Sequence, residues 1–161
     1  MANISELDLA YAAGLIDGEG TIGITELKPN DALTKNGMRV RKSPQHRIYA
    51  ACTMTDEAPI MFLHLLFGGH IQSLKSRGKN HKPTFRWSVA SQTAAEFCEK
   101  ISPYLRLKKP QAEIAARFYR ERLGGNFQGN RGVSEDELSL RRAARQKIQE
   151  LNQRGIAAGG K

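Results

Sequence analysis

The chain has 161 residues, with 25 Lys and Arg against 16 Asp and Glu, a formal net charge of +9 and a pI near 9.8. At this length one domain is expected, and 40% hydrophobic residues can build a core, which argues against wholesale disorder. No apolar run approaches the roughly 18 residues of a membrane span, and the first ten residues lack the pattern of a signal peptide. Cys52 and Cys98 are too few for a disulfide framework, and no CxxC or Cys/His cluster suggests zinc. The expectation is an intracellular, reducing location, cytoplasmic or, in a eukaryotic host, organellar. The positive excess makes a polyanion the leading partner, nucleic acid ahead of membrane.

Ser5-Glu6-Leu7-Asp8 has the form of a capping box. Leu7, Ala10, Tyr11, Gly14 and Leu15 then recur at helical spacing until Gly18-Glu19-Gly20 breaks the run. In 21–27, Ile22 and Ile24 alternate with Gly23 and Thr25, a strand pattern. A polar, basic connection spans 29–44. A second strand is expected over 47–55, with Ile48, Ala50, Cys52 and Met54 on one face and Arg47, Tyr49, Ala51, Thr53 and Thr55 on the other. The apolar segment 57–67 reads as a buried helix closed by Gly68-Gly69. A third strand is expected over 70–76, then a hairpin turn at Arg77-Gly78-Lys79-Asn80. The fourth strand, 84–90, alternates Phe85, Trp87 and Val89 with Thr84, Arg86 and Ser88. Helices follow over 93–101 and 111–123, then a Gly/Asn-rich loop. Ser134-Glu135-Asp136-Glu137 opens a last helix with Leu140, Ala144, Ile148 and Leu151 on one side.

This α-β-β-α-β-β-α order predicts an α+β fold, with a four-stranded antiparallel sheet backed by helices on one face. A C-terminal helix is added to it. Residues 1–123 would form the core, and 124–161 the loop, C-terminal helix and tail of the same domain.

The charge is unevenly spread. Residues 1–27 hold five acids and no Lys or Arg, whereas 28–47 and 75–86 together hold eleven of the 25 cations against one acid. With helices on one side, the other sheet face would display Arg47, Tyr49, Thr53, Lys75, Arg77, Thr84, Arg86 and Ser88. A β-ribbon of this kind fits the major groove of duplex DNA. RNA is less favoured because its major groove is closed to side chains, and the lack of an exposed aromatic stripe argues against single strands. A merely solvated face is the alternative. His46 and His81 could touch phosphate. Arg141, Arg142, Arg145 and Lys147 read first as a solvated helix face.

Gly18-Glu19-Gly20-Thr21-Ile22-Gly23 matches G-x-G-x-x-G in form only. A dinucleotide fingerprint follows a strand and opens a helix, and the order here is reversed. An EF-hand fails because its later ligands are missing. An acid at a helix C-terminus is unfavourable because the macrodipole is negative there, so a compensating cation is expected. Few oxygen ligands and nearby phosphate suit Mg²⁺. Asp17 and Glu19 merely capping a turn is the alternative.

Ala12-Ala13-Gly14-Leu15-Ile16-Asp17-Gly18-Glu19-Gly20 resembles the signature nonapeptide of the LAGLIDADG homing endonucleases. Seven of its nine positions match with Glu19 allowed for the usual Asp; Ala12 replaces Leu and Gly18 replaces Ala. A weaker echo, Pro103 to Ala112, resembles the family segment carrying an active-site lysine. The resemblance covers about Ser5 to Leu123 and implies a site-specific, double-strand DNA endonuclease, a hydrolase initiating intron mobility. It implies Glu19 as the metal-ligating carboxylate with the Gly18 carbonyl beside it, a more structural role for Asp17, and Asp56 and Lys108 arranging the attacking water. Mg²⁺ is the implied cofactor, with Mn²⁺ as a substitute and Ca²⁺ binding without turnover. The residues expected to meet DNA are Thr25, Lys28, Asn30, Arg39, Arg41, Arg47, Tyr49, Thr53, Ser73, Lys75, Arg77, Thr84, Arg86 and Ser88.

One signature copy implies a homodimer and a partly palindromic target. Ala10 and Gly14, or Ala13 and Asp17, are the small residues that would let two such helices pack closely. Packing within one chain is the alternative for them. A non-cleaving, RNA-binding intron maturase on the same scaffold is the rival function.

Overall fold

The computed structural model describes residues 4–28, 33–34, 37–38, 43–74, 82–123 and 132–153. Its elements in chain order are α1 (Glu6–Glu19), β1 (Gly20–Leu27), β2 (Leu33–Thr34), β3 (Gly37–Met38), β4 (Gln45–Met54), α2 (Glu57–Phe67), β5 (His70–Leu74), β6 (Thr84–Ala90), α3 (Ser91–Ile101), α4 (Lys109–Phe118) and α5 (Glu135–Gln153). A short 3₁₀ turn (Ser102–Tyr104) joins α3 to α4, and a π-helical turn (Tyr119–Leu123) ends α4.

The principal sheet is antiparallel with strand order β1-β4-β6-β5. The expected α+β architecture is therefore present, and the connection after β1 also contains the two-residue pair β2-β3. Alternation decides the two faces. Ile22, Ile24, His46, Ile48, Ala50, Cys52, Trp87 and Val89 turn inward against the helices. Trp87 is fully buried, edge-on to Phe97 of α3, and donates its ring N–H to the Gly68 carbonyl at 2.7 Å. That bond satisfies the one polar atom the indole brings inside. Gly68 and Gly69 close α2 at φ of +67° and +91°, a region that favours glycine.

α1 starts as its sequence demands: Ser5 and Asp8 cap each other reciprocally. It then meets two environments. Ala12, Ala13 and Ile16 lie in the core, whereas Leu7, Ala10, Tyr11, Gly14 and Gly18 are exposed, Leu7 at 82%. A helix apolar on both sides is suited to a partner on both. Ala13, expected at a subunit interface, instead packs inside its own chain.

Of the stripe expected on α5, Ile148 is buried and Ala144 packs against the core, whereas Leu140 is half exposed; Leu138 and Arg141 are buried as well. The helix lies beside α4 and the edge strand β1, and Asn152 donates to the Ile22 carbonyl at 3.0 Å. It thus takes up a carbonyl that an edge strand would leave unpaired.

Candidate active site and nucleic-acid interface

α1 runs directly into β1 at Gly20, where a Cβ would stand 2.6 Å from the Ile16 Cα. The helix end is therefore tied closely to the sheet. Four carbonyls at a helix C-terminus lack intrahelical partners. Ile16 O receives the Gly20 N–H. Lys108 Nζ donates to Ile16 O at 2.8 Å and to Asp17 O at 2.6 Å. The Asp17 carboxylate turns the other way and accepts the backbone N–H groups of Arg106 (2.7 Å), Leu107 (3.2 Å) and Lys108 (2.9 Å). Asp17 thus anchors the segment leading into α4, and its carboxylate is already engaged within the chain.

Glu19 is exposed. Among the described residues its carboxylate forms no ion pair or side-chain hydrogen bond, and no side chain takes the Gly18 carbonyl. Lys108 is spent on carbonyls and does not pair with Glu19. Both groups nevertheless act on the Cys52 thiol: burial first and then Glu19 push it up to about 11, while Lys108 pulls it down. Asp56 caps α2, its Oδ1 accepting the Ala58 N–H at 3.2 Å.

No group of three or more His, Cys, Asp or Glu that could hold a metal occurs among the described residues. The exposed Glu19 carboxylate and a Gly18 carbonyl that no side chain of the described residues takes do suit a hard cation that keeps waters and takes its other ligands from phosphate. The residues present therefore fit Mg²⁺.

The open sheet face can be read row by row from the register. Thr25 lies opposite Arg47, and its hydroxyl donates to the Arg47 carbonyl at 3.2 Å. Gly23 lies opposite Tyr49, whose ring covers it: a Cβ there would stand 2.7 Å from the ring. Thr53, Arg86 and Gln72 form a third row, and Thr21, Ala51, Ser88 and His70 a fourth. Thr84, paired with Leu74, closes the face, and Lys28 is exposed just beyond β1. Ser73 is a correction. It pairs with Phe85 and so lies on the helix side of the sheet; the open-face residues of β5 are His70, Gln72 and Leu74. In a strand, a slip of one residue reverses every side chain. Thr21, Gln45 and Gln72 were missed; alternation from the inward Ile22, Ile48 and Trp87 would have found them. Asn30, Arg39, Arg41, Lys75, Arg77, His81 and the 77–80 turn lie outside the described residues.

His46 does not reach the open face. Its side chain is buried, with Nε2 3.2 Å from the Glu26 carboxylate, and burial pushes it below its ordinary pKa. Glu26 also accepts from Arg142 of α5 at 3.0 Å, which holds its carboxyl below the usual range. Arg141 pairs with Glu137 at 2.8 Å and donates to the Arg122 carbonyl. Two of the α5 arginines read as solvated are thus structural cations.

Several solved structures share this fold. Homing endonuclease I-CvuI, in complex with the I-CreI target in the presence of Mg, superposes with a TM-score of 0.67 at 21% identity, covering 91% of this chain and 82% of that one. The archaeal intron-encoded homing endonuclease I-Vdi141I, complexed with DNA, gives 0.65 at 14% identity, covering 91% and 84%. The group I intron-encoded I-CeuI, also complexed with DNA, gives 0.50 at 14%, covering 74% and 57%. No protein-family model and no curated protein matches the chain. The chain therefore has the LAGLIDADG homing endonuclease fold, and the resemblance seen in the 12–20 nonapeptide is borne out in three dimensions.

Proposed function

We propose that this protein is a site-specific, double-strand DNA endonuclease of the intron-homing kind, acting as a homodimer with Mg²⁺. The observation that carries the reading is Glu19: an exposed carboxylate at a helix C-terminus, without an ion pair among the described residues and beside a carbonyl that none of their side chains takes, in a chain of net charge +9. Glu19 and the Gly18 carbonyl would hold the metal. When bound, Mg²⁺ supplies an acidified water and charge stabilisation at a phosphodiester. Asp56, at the end of β4, would order solvent with the carboxylate oxygen that does not cap α2. Lys108 would serve the same centre from the α1 terminus.

Thr25, Lys28, Arg47, Tyr49, Thr53, Thr84, Arg86 and Ser88 would meet the DNA, the arginines offering paired donors to guanine edges or phosphate. The I-CvuI, I-Vdi141I and I-CeuI structures are DNA complexes, which supports that use of the sheet. Dimerisation is supported by the exposed α1 stripe. Nothing lies within 4 Å of a Cβ built at Gly14 or Gly18, so a second helix could approach closely there. Ala10 and Gly14 would lie in that contact, with Asp17 at its edge. The partner is then duplex DNA with approximate two-fold symmetry. Among the described residues no helix is long and apolar enough to cross a membrane.

A plasmid nicking assay tests the reading. With Mg²⁺ the wild-type chain should cut a plasmid carrying its site, and Glu19→Gln should bind that plasmid without cutting it. Cleavage by Glu19→Gln at the wild-type rate would refute the assignment.

A further inference from the structure

The ends of two helices exchange caps at this site. The Asp17 carboxylate, in the last turn of α1, accepts three consecutive backbone N–H groups from residues 106–108, next to the start of α4. The Lys108 ammonium, on the residue immediately before α4, returns to the Ile16 and Asp17 carbonyls of α1. Each helix end thus holds the charge its dipole favours: negative at an N-terminus, positive at a C-terminus. At 2.6 and 2.8 Å, the lysine bonds fall in or near the charge-assisted range.

On the reading that the chain is a metal-dependent nuclease, we propose that Lys108 is a positioning residue. It acts by clamping the α1 C-terminal turn, so that Gly18 and Glu19 are presented together, and it does not exchange a proton with the attacking water. Two of the three ammonium N–H groups are committed to carbonyls that have no other side-chain donor. A lysine giving up its proton to water would weaken the bonds that order the turn. The turn has little slack of its own, because Gly20 closes against Ile16 with no room for a Cβ. The clamp therefore transmits to Glu19, one residue from Gly20 and two from Asp17. Asp17 belongs to the same device from the other side, fixing the backbone from which Lys108 extends.

Three variants test this: Lys108→Met, which keeps the stem and removes the cation; Lys108→Arg, which keeps a cation; and Asp17→Asn, which weakens the return half. The first readout needs neither DNA nor metal: amide hydrogen exchange at Glu19 and Gly20. Lys108→Met should speed it by about tenfold, the scale of losing one ordinary hydrogen bond. Asp17→Asn should speed the same amides, and Lys108→Arg should leave them near wild type. The second readout is the single-turnover cleavage rate in Mg²⁺ across pH. Lys108→Met should lower the rate by one constant factor at every pH and raise the Mg²⁺ needed for half-maximal rate, with Lys108→Arg restoring most of both. Unchanged exchange in Lys108→Met and Asp17→Asn overturns the clamp, as does a reshaped pH profile in Lys108→Met with Lys108→Arg equally impaired. If wild type itself cuts no DNA while the exchange results hold, the nuclease reading fails and takes the catalytic part of the proposal with it, and the structural clamp stands.

Discussion

At the α5 side of the molecule, Glu26 and Glu137 are each gripped by arginine at 2.8 to 3.0 Å, and His46 is buried against the first of them. At the C-terminus of α1, Glu19 stands in a field that disfavours it, and the nearby Lys108 is spent on backbone. The chain has cations in plenty and uses them freely on α5, so the contrast is not one of supply. Acids that hold elements together are paired; the acid at the helix end has no ion pair among the described residues. This difference predicts that changes near α1 should alter assembly and chemistry, while changes near α5 should alter stability.

The largest effect is expected at Gly14. Its Cβ position is open within the chain, so Gly14→Glu should leave the subunit folded, with the circular dichroism spectrum of wild type. It should nevertheless weaken self-association by about a hundredfold, ~2.7 kcal/mol, and lower double-strand cleavage with it. Sedimentation and cleavage measured together check this; a variant that remains dimeric would erase the proposed role of the α1 stripe.

Arg141→Leu is the counterpart on α5. It leaves Glu137 with Arg122 alone, at 2.8 Å, and should cost about 2 kcal/mol of stability, the scale for losing a hydrogen bond to a charged group. Urea unfolding reports it, and the cleavage rate of the fraction still folded should hold. Asp17→Asn should fall between the two regions. It should cost about 2 kcal/mol, because three backbone N–H groups lose a charged acceptor, and it should act on α1 and α4 without loosening α5.

Acid should act mainly on the α5 side. The folded-state pKa of His46 is lowered by burial, so its contribution is fully present above the unfolded value near 6.5 and fades as pH falls below it. Arg142 lowers Glu26. Burial would raise Glu137, but hydrogen bonds from Arg141 and Arg122 outweigh it. Both carboxylates add stability that is present above the ordinary carboxylate range and is lost as pH falls through their depressed values. Stability measured from pH 7.5 to 5.5 should therefore decline, with α5 amides exchanging first, and His46→Gln should flatten that slope. The smallest effect is on the thiols. Burial pushes Cys52 up to about 11 and Cys98 up to about 12, so neither should react with a thiol reagent until the chain unfolds.

The order of elements was readable because β4 and β6 alternate cleanly and Ser5, Gly20 and Gly68 mark the joints. The nonapeptide 12–20 carried the candidate site. β5 was harder, because a five-residue strand of mixed polarity does not fix its own parity; pairing with Phe85 and Arg86 does. The α5 arginines were misread because a guanidinium on a helix looks solvated until its acidic partner, 116 residues away for Arg142, is brought beside it. The contact from Lys108 to the α1 carbonyls spans 92 and 91 residues, and no local pattern announces it.

The most direct test is selection from a randomised duplex library with wild type and Glu19→Gln side by side in Mg²⁺. Wild type should release cleaved sites of about 20 base pairs with pseudo-two-fold symmetry, two helical turns of contact, and Glu19→Gln should retain the same sites uncut. Failure of wild type to cut any member with Mg²⁺ or Mn²⁺, or equal cutting by both proteins, would contradict the account.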